Sequence, residues 1–186
     1  MIKQVMEITD LKDMLNKTGK IYGDKPGYKI KIGDGEYKVY THKEIRDMIN
    51  YLGTALISMG LKDKRIAVIG ENRYEWELAY LSVACGTGII VPIDKSLPEN
   101  ELEELIERSE VEAIFYSKKY EEAIEKIKYS ENNKLKHLIS MDRDTNIEGI
   151  YSQKELIETG RKLVQAGNME FIDAKIDPEK MNIMLF

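Results

Sequence analysis

The side chains that could do chemistry are few in this 186-residue chain, and their spacing forms no catalytic set. His42 and His137 are the only imidazoles, and Cys85 is the only thiol. A zinc site needs three or four such ligands close together, and an activated nucleophile needs a general base beside it. Three isolated side chains supply neither arrangement. We therefore predict no catalytic, cofactor-binding or metal-binding residue in the chain.

The closest approach to a phosphate-binding loop is Gly86-Thr87-Gly88. Phosphate loops lead from a strand into a helix, so that the N-terminus of the helix faces the anion. This segment leads from a predicted helix into a predicted strand, and we interpret it as a tight turn that uses a left-handed glycine. No predicted strand is followed by G-x-G-x-x-G or by G-x-x-x-x-G-K-[ST].

Two other groups of side chains have both a functional and a structural interpretation. Glu101, Glu104 and Glu107 could share one side of a helix, where a solvated face is the simpler explanation. Trp76 and Tyr80 could line a hydrophobic ligand groove, although an aromatic stripe packed into the core is the commoner arrangement.

The composition is that of an ordinary globular protein, with 42% hydrophobic and 33% charged residues and a net charge of −5. It excludes disorder, a collagen-like fibre and a disulfide scaffold. The absence of a basic stripe argues against nucleic acid as a partner. No apolar run approaches the roughly 18 residues that span a bilayer, and the N-terminus lacks the order of a signal peptide. Together with the lone Cys85, these features predict a cytoplasmic protein.

The first elements predicted are a short amphipathic helix, a β-hairpin and a longer helix. Thr9 or Asp10 caps the short helix, which ends at Gly19. Alternating apolar and polar residues at 28–32 and 37–40 flank a glycine-rich turn, which predicts a hairpin with one wet face.

Thr41 and Glu44 then form a capping box for the longer helix, which runs to Met59 and stops at Gly60. Beyond it, continuous apolar runs alternate with helical patterns. Such an alternation predicts a parallel sheet covered on both faces. The strands fall at 66–69, 89–93, 113–116 and 137–141, and the helices at 73–84, 98–108 and 118–128.

The last part of the chain predicts a polar loop at 142–149 and a helix from the capping box Ser152–Glu155 to about Ala166. A linker then leads to a buried strand at 181–186. The fold class is therefore α/β, with a doubly wound, mostly parallel sheet, flanking helices and a preceding β-hairpin.

Five segments, in order, resemble the N-terminal part of the AMP-forming acyl-adenylate enzymes, above all the bacterial long-chain fatty-acid CoA ligases. In that family a GDKP-like segment precedes a hairpin, and a Tyr-Thr pair opens the next helix. A strand ending in a small residue and Asn starts another helix, which Asn72 is expected to N-cap in this chain, and a Gly-x-x-x-Pro strand follows. The matching segments are 23–26 (GDKP), 40–44 (YTHKE), 52–60 (LGTALISMG), 66–76 (IAVIGENRYEW) and 88–98 (GIIVPIDKSLP).

The resemblance covers residues 20–117 and implies a parent protein that activates a carboxylic acid with ATP and magnesium. The acyl-adenylate so formed would pass its acyl group to CoA, releasing AMP. In the family a Ser/Thr/Gly-rich phosphate loop follows a strand like Met181–Phe186, and no ATP, CoA or magnesium ligand of the family can be placed in this chain. Residues 1–186 are thus expected to be one partial domain, cut before that loop, inactive alone and free of bound cofactors.

Two alternatives remain open at this point. The chain could be a stand-alone binding or interaction module with an adenylation-like fold, docking on a partner that carries the missing half. It could also be an unrelated flavodoxin-like regulatory domain. For the fragment, the expected partners are the rest of the parent polypeptide and, through it, a fatty acid. Exposed apolar sheet edges also favour self-association.

Overall fold

A computed structural model describes residues 6–130 and 132–186, and the chain divides into two compact units at Asp47 and Met48. The first unit contains α1 (Leu11–Ile21), β1 (Pro26–Lys31), β2 (Tyr37–Thr41) and the start of α2 (His42–Ser58). The second contains the rest of α2 and all later elements.

Local capping explains the helix starts in the first unit. Asp10 is the N-cap of α1, and its carboxylate accepts a hydrogen bond from the Asp13 main-chain N–H at 2.8 Å. The capping box of α2 is confirmed, because the Thr41 N–H donates to the Glu44 carboxylate at 2.7 Å and the Glu44 N–H donates back to Thr41 Oγ1. The strands β1 and β2 pair in antiparallel fashion, as their alternation predicts.

The second unit is built on a five-stranded parallel sheet in the order β4-β3-β5-β6-β7. Helices follow the strands in the chain, as the sequence predicts. The strands are β3 (Arg65–Ile69), β4 (Ile89–Pro92), β5 (Ala113–Tyr116), β6 (His137–Ser140) and β7 (Ile150–Ser152). The helices are α3 (Tyr74–Ser82), α4 (Glu99–Ser109), α5 (Glu121–Lys128), α6 (Gln153–Gln165) and α7 (Glu170–Asp173).

Apolar side chains on both faces of the sheet are buried, which is why its strands carry continuous apolar runs. On one face Ala67 and Ile114 pack with Ile106 of α4 and Ile124 of α5 in a single cluster. The residues of the opposite face, such as Phe115, are also fully buried. The α/β prediction with a doubly wound parallel sheet is confirmed.

Close packing of helices in the second unit depends on two glycines. A Cβ atom on Gly160 of α6 would overlap the main-chain oxygen of Tyr51 in α2. A Cβ atom on Gly53 of α2 would overlap the ring of Phe171, the buried residue of α7. These contacts are possible only because neither position carries a side chain.

Three expectations about local structure are wrong. Asn72 does not cap α3, because Arg73 occupies the N-cap position and makes no side-chain capping bond. The strand β7 lies between the predicted loop at 142–149 and the predicted helix that follows, and the short helix α7 lies in the predicted linker, since three or four residues are too few to show a periodicity.

The third concerns residues 181–186, which lie beside β4 through a parallel bridge between Ile90 and Ile183 but are not buried. Met181, Leu185 and Phe186 are 57%, 73% and 58% exposed. Across residues 6–130 and 132–186, no helix is long and apolar enough to cross a membrane.

Candidate functional site at the carboxyl edge of the sheet

The topology singles out the carboxyl edge of the sheet between β3 and β5. The chain moves from β3 to β4 on one side and then to β5 on the other, so the strand order reverses there. In open α/β sheets this reversal leaves a crevice in which ligands bind. The residues that border it are Glu71 and Arg73 after β3, Ser117 and Lys118 after β5, and Asp142 after β6.

Arg73 bridges a carboxylate in the first turn of α3 and one in the loop after β6. Its Nε lies 2.6 Å from Glu75 Oε2, and its Nη1 lies 2.6 Å from Asp142 Oδ1. The other oxygen of Asp142 accepts the main-chain N–H of Lys118 at 2.7 Å. Hydrogen bonding to Glu75 raises the pKa of Arg73 above its usual value despite partial burial. The loops after β3, β5 and β6 are thereby tied together.

Glu71 is a second exposed carboxylate of the edge, besides Asp142. The neighbouring Ser117 hydroxyl and the main chain of Glu71 itself lower the pKa of Glu71, so it is ionised at neutral pH. In the part of the chain that the structure describes, no group of three His, Cys, Asp or Glu side chains could hold a metal ion. The carboxyl edge therefore offers charged groups and hydrogen bonds that position its loops, and Arg73 is already paired with two carboxylates.

A second concavity, of about 560 Å³, lies at the amino ends of the strands. It is lined by Lys62, Asp63, the turn at 86–88 and the segment 174–182. Lys62 forms an ion pair with Glu170, and Lys180 lies 3.2 Å from Asp63. Two of the lysines that line this cavity thus have carboxylate partners, which leaves it without the concentrated positive charge of a phosphate site.

The structure bears out the interpretation of Gly86-Thr87-Gly88 as a turn. Gly86 has a φ of +138°, and a Cβ on Gly88 would overlap the Lys64 main chain. The segment joins the end of α3 to β4 through a π-helical turn at 83–87. It lies at the amino edge of the sheet. The turn ends a helical segment and begins a strand, so it presents no helix N-terminus to an anion.

The remaining candidates of the sequence are found in separate places. His42 packs against the Tyr22 ring, and burial lowers the pKa of His137, which lies beside the Tyr151 ring. Cys85 is completely buried. Glu101, Glu104 and Glu107 are all exposed, as a solvated face requires.

The aromatic pair on α3 does not form the buried stripe that was expected as the commoner arrangement. Trp76 stacks on Tyr80 with ring centroids 5.4 Å apart, and both side chains are half-buried. They cover the surface of the helix and do not fill the core.

The contacts that link the loops at the carboxyl edge of the sheet were not among the sequence predictions. Its central contact joins Arg73 to Asp142, residues 69 positions apart, and no local pattern indicates such a pair. The available signal was topological, since polar residues follow each of the predicted strands that meet there.

Comparison with known proteins gives concordant results. Residues 17–185 match the family model described as AMP-binding enzyme. A long-chain-fatty-acid–CoA ligase 1 from Cavia porcellus is 22% identical over 161 residues, which are 84% of this chain and 22% of that protein. A 4-hydroxybutyrate–CoA ligase 2 from Metallosphaera sedula is 23% identical over 92% of this chain and 30% of its own length.

Solved structures show the same fold. The coronafacic acid ligase from Pectobacterium brasiliense matches 96% of this chain with a TM-score of 0.74 and 15% identity, which covers 33% of that chain. An anthranilate CoA ligase in complex with anthranoyl-AMP matches 83% of this chain with a TM-score of 0.67 and 17% identity, covering 28% of its own chain. These four matches cover 22–33% of the length of the proteins concerned.

Proposed function

Because the chain belongs to the AMP-binding enzyme family, we propose that it is the N-terminal part of an ATP-dependent acyl-CoA ligase. The parent protein would join a carboxylic acid to ATP, giving an acyl-adenylate and pyrophosphate. It would then transfer the acyl group to the thiol of CoA and release AMP. The observation that carries this proposal is the family match over residues 17–185.

We further propose a long-chain fatty acid as the substrate class and the cytoplasm as the compartment. Support for the substrate comes from the curated relatives, several of which are named long-chain fatty-acid CoA ligases or synthetases. Another relative is named a 4-hydroxybutyrate–CoA ligase, so the substrate class should be tested by assaying the parent protein with both kinds of acid.

In this proposal the chain is a scaffold, and the parent binds ATP, CoA and magnesium through other segments. The segment at 181–186 runs in the direction of β4, so it leads toward the carboxyl edge of the sheet. A phosphate loop that followed it would begin beside that edge. The paired Arg73 and Asp142 agree with a supporting role, since neither group is free for a nucleotide.

The test is pyrophosphate release with palmitate, Mg-ATP and CoA, measured for the 186-residue chain and for the product of the full reading frame. We expect release from the longer protein and none from the chain alone. Release by the chain alone would show that it holds a complete site. A stop codon directly after Phe186 would instead favour the stand-alone interaction module.

A further inference from the structure

Helix α3 differs from α4, α5 and α6 in the residue at the centre of its outward face. Because successive residues of a helix are about 100° apart, this position lies opposite the buried side chains. It is occupied by Glu104 in α4, Glu122 in α5 and Glu158 in α6, as is normal for a helix that faces water. In α3 it is occupied by Tyr80. The buried residues of α3, which define this position, are Leu78, Ala79, Leu81 and Ser82.

The outward face of α3 is mainly aromatic. Trp76 lies one turn before Tyr80, and the two half-buried rings stack with their centroids 5.4 Å apart. Glu77 is the exposed charged residue beside them. The carboxylate of Glu75 is held by Arg73, whose Nε lies 2.6 Å away. We call the stacked rings of Trp76 and Tyr80 the α3 aromatic patch.

The composition of the α3 aromatic patch favours a protein partner. Tryptophan and tyrosine are enriched at protein interfaces, where a few such side chains supply most of the binding energy. Helix α3 contains no lysine or arginine, so it offers no cation to a phosphate or to the carboxylate of a fatty acid. The 560 Å³ cavity described above lies at the amino edge of the sheet and is lined by neither ring. The patch therefore fits an apolar protein surface better than a small anionic ligand.

The course of the chain brings the rest of the parent polypeptide within reach of this patch. The side-chain amide of Asn182 donates to the main-chain oxygen of Ala84, just after α3, at 3.3 Å. From there the segment 181–186 runs parallel to β4, toward the carboxyl edge of the sheet. Helix α3 begins at the same edge, with Trp76 in its first turn. The matches reported above cover 22–33% of the relatives' length, so under the proposed function most of the parent lies outside residues 1–186.

We propose that the α3 aromatic patch is a surface on which the rest of the parent polypeptide packs. This inference rests on the proposed function, because it needs a parent longer than the 186-residue chain. The packing surface is apolar and supplies polar atoms for the indole N–H of Trp76 and the hydroxyl of Tyr80, since such groups are hydrogen-bonded when they are buried. The two rings are then anchors of an interface within one protein and do not form the wall of a ligand groove.

The test compares how fast hydroxyl radicals oxidise Trp76 and Tyr80 in the 186-residue chain and in the product of the full reading frame, measured by peptide mass spectrometry. We expect oxidation of both rings to be at least about threefold slower in the longer protein, because the centre of an interface excludes water. Tyr129, an 83% exposed ring on another surface, is the internal control and should be oxidised at the same rate in both proteins. Equal rates for Trp76 and Tyr80 in the two proteins overturn the proposal. Slower oxidation of these rings in the chain alone when palmitate is added also overturns it, because a ligand then covers them.

A substitution at the centre of the patch gives a second test. Tyr80→Lys should lower the Tm of the chain alone by no more than about 2 °C, as is usual for an outward position, and that of the longer protein by at least about 5 °C, because the charge is then buried at an interface. Glu104→Lys is the matched control, since it changes the corresponding position of α4, and it should shift both Tm values by no more than about 2 °C. Equal losses for Tyr80→Lys in the two proteins contradict the proposal.

Pyrophosphate release by the unchanged longer protein separates this inference from the ligase proposal. A protein that releases pyrophosphate while Trp76 is oxidised as fast as in the chain alone contradicts only the packing surface. A protein in which Trp76 is protected but no pyrophosphate is released contradicts only the ligase proposal.

Discussion

The contact between α6 and α2 can be tested by adding a single methyl group at Gly160. The main-chain oxygen of Tyr51 occupies the space that a Cβ atom would need. In an unhindered helix Gly→Ala stabilises by roughly 1 kcal/mol. Here the obstacle is main chain within a helix and cannot rotate away, so the overpacking cost should lie near 3 kcal/mol, the upper part of its usual range.

The net effect expected of Gly160→Ala is thus a destabilisation of about 2 kcal/mol, or a fall in Tm of roughly 4–8 °C for a chain of this length. Thermal and urea denaturation followed by circular dichroism measure both quantities. Gly19→Ala in α1 is the matched control, because its nearest neighbour is the flexible Arg46 side chain, with Cδ at 2.9 Å. It should be neutral or slightly stabilising. If Gly160→Ala raised Tm as much as the control, the close approach of the two helices would be refuted.

Three further substitutions test ion pairs and core packing. Glu112 forms ion pairs with Lys64 and Lys136 at 2.8 Å each. The hydrogen bond to Lys136 is the main cause that lowers the pKa of Glu112 from 4.5 to about 2. The stabilisation that these ion pairs contribute is therefore present above about pH 4.5 and is lost as the pH falls through 2. Glu112→Gln should lower the free energy of unfolding, measured by urea titration, by about 1 kcal/mol at pH 7 after solvent screening, and by progressively less toward pH 2. Arg73→Gln should cost about 1 kcal/mol, and the difference should shrink in 1 M salt; equal losses at low and high salt would contradict an electrostatic brace. Phe171→Ala removes a completely buried ring and should cost about 3–5 kcal/mol in the same titration, so a loss below 1 kcal/mol would show that α7 is not packed on Gly53.

The strands β3 to β6 could be predicted from the sequence because each is a continuous apolar run buried on both faces. Helix starts with a capping box could be predicted for a similar reason, since Thr41 and Glu44 carry the whole signal within four residues. The burial of 181–186 could not, because an apolar sequence does not show whether a neighbouring strand covers it. The same holds for Asn72, whose expected capping position is taken by Arg73 through contacts with the distant Asp142.

Ion pairs hold the strand ends in place at both the amino and the carboxyl edge of the sheet. At the amino edge Glu110 pairs with Arg65 and Lys134, and the Glu112 pairs lie beside it. At the carboxyl edge Arg73 is the shared partner of two carboxylates. Charged groups committed in this way are unavailable to an anionic ligand, yet they hold loops of the sheet in place. A sheet built like this can support a nucleotide site formed by other segments without contributing a ligand of its own. Variants of Arg73 should then change the stability of the parent enzyme while leaving its KM for ATP unaltered.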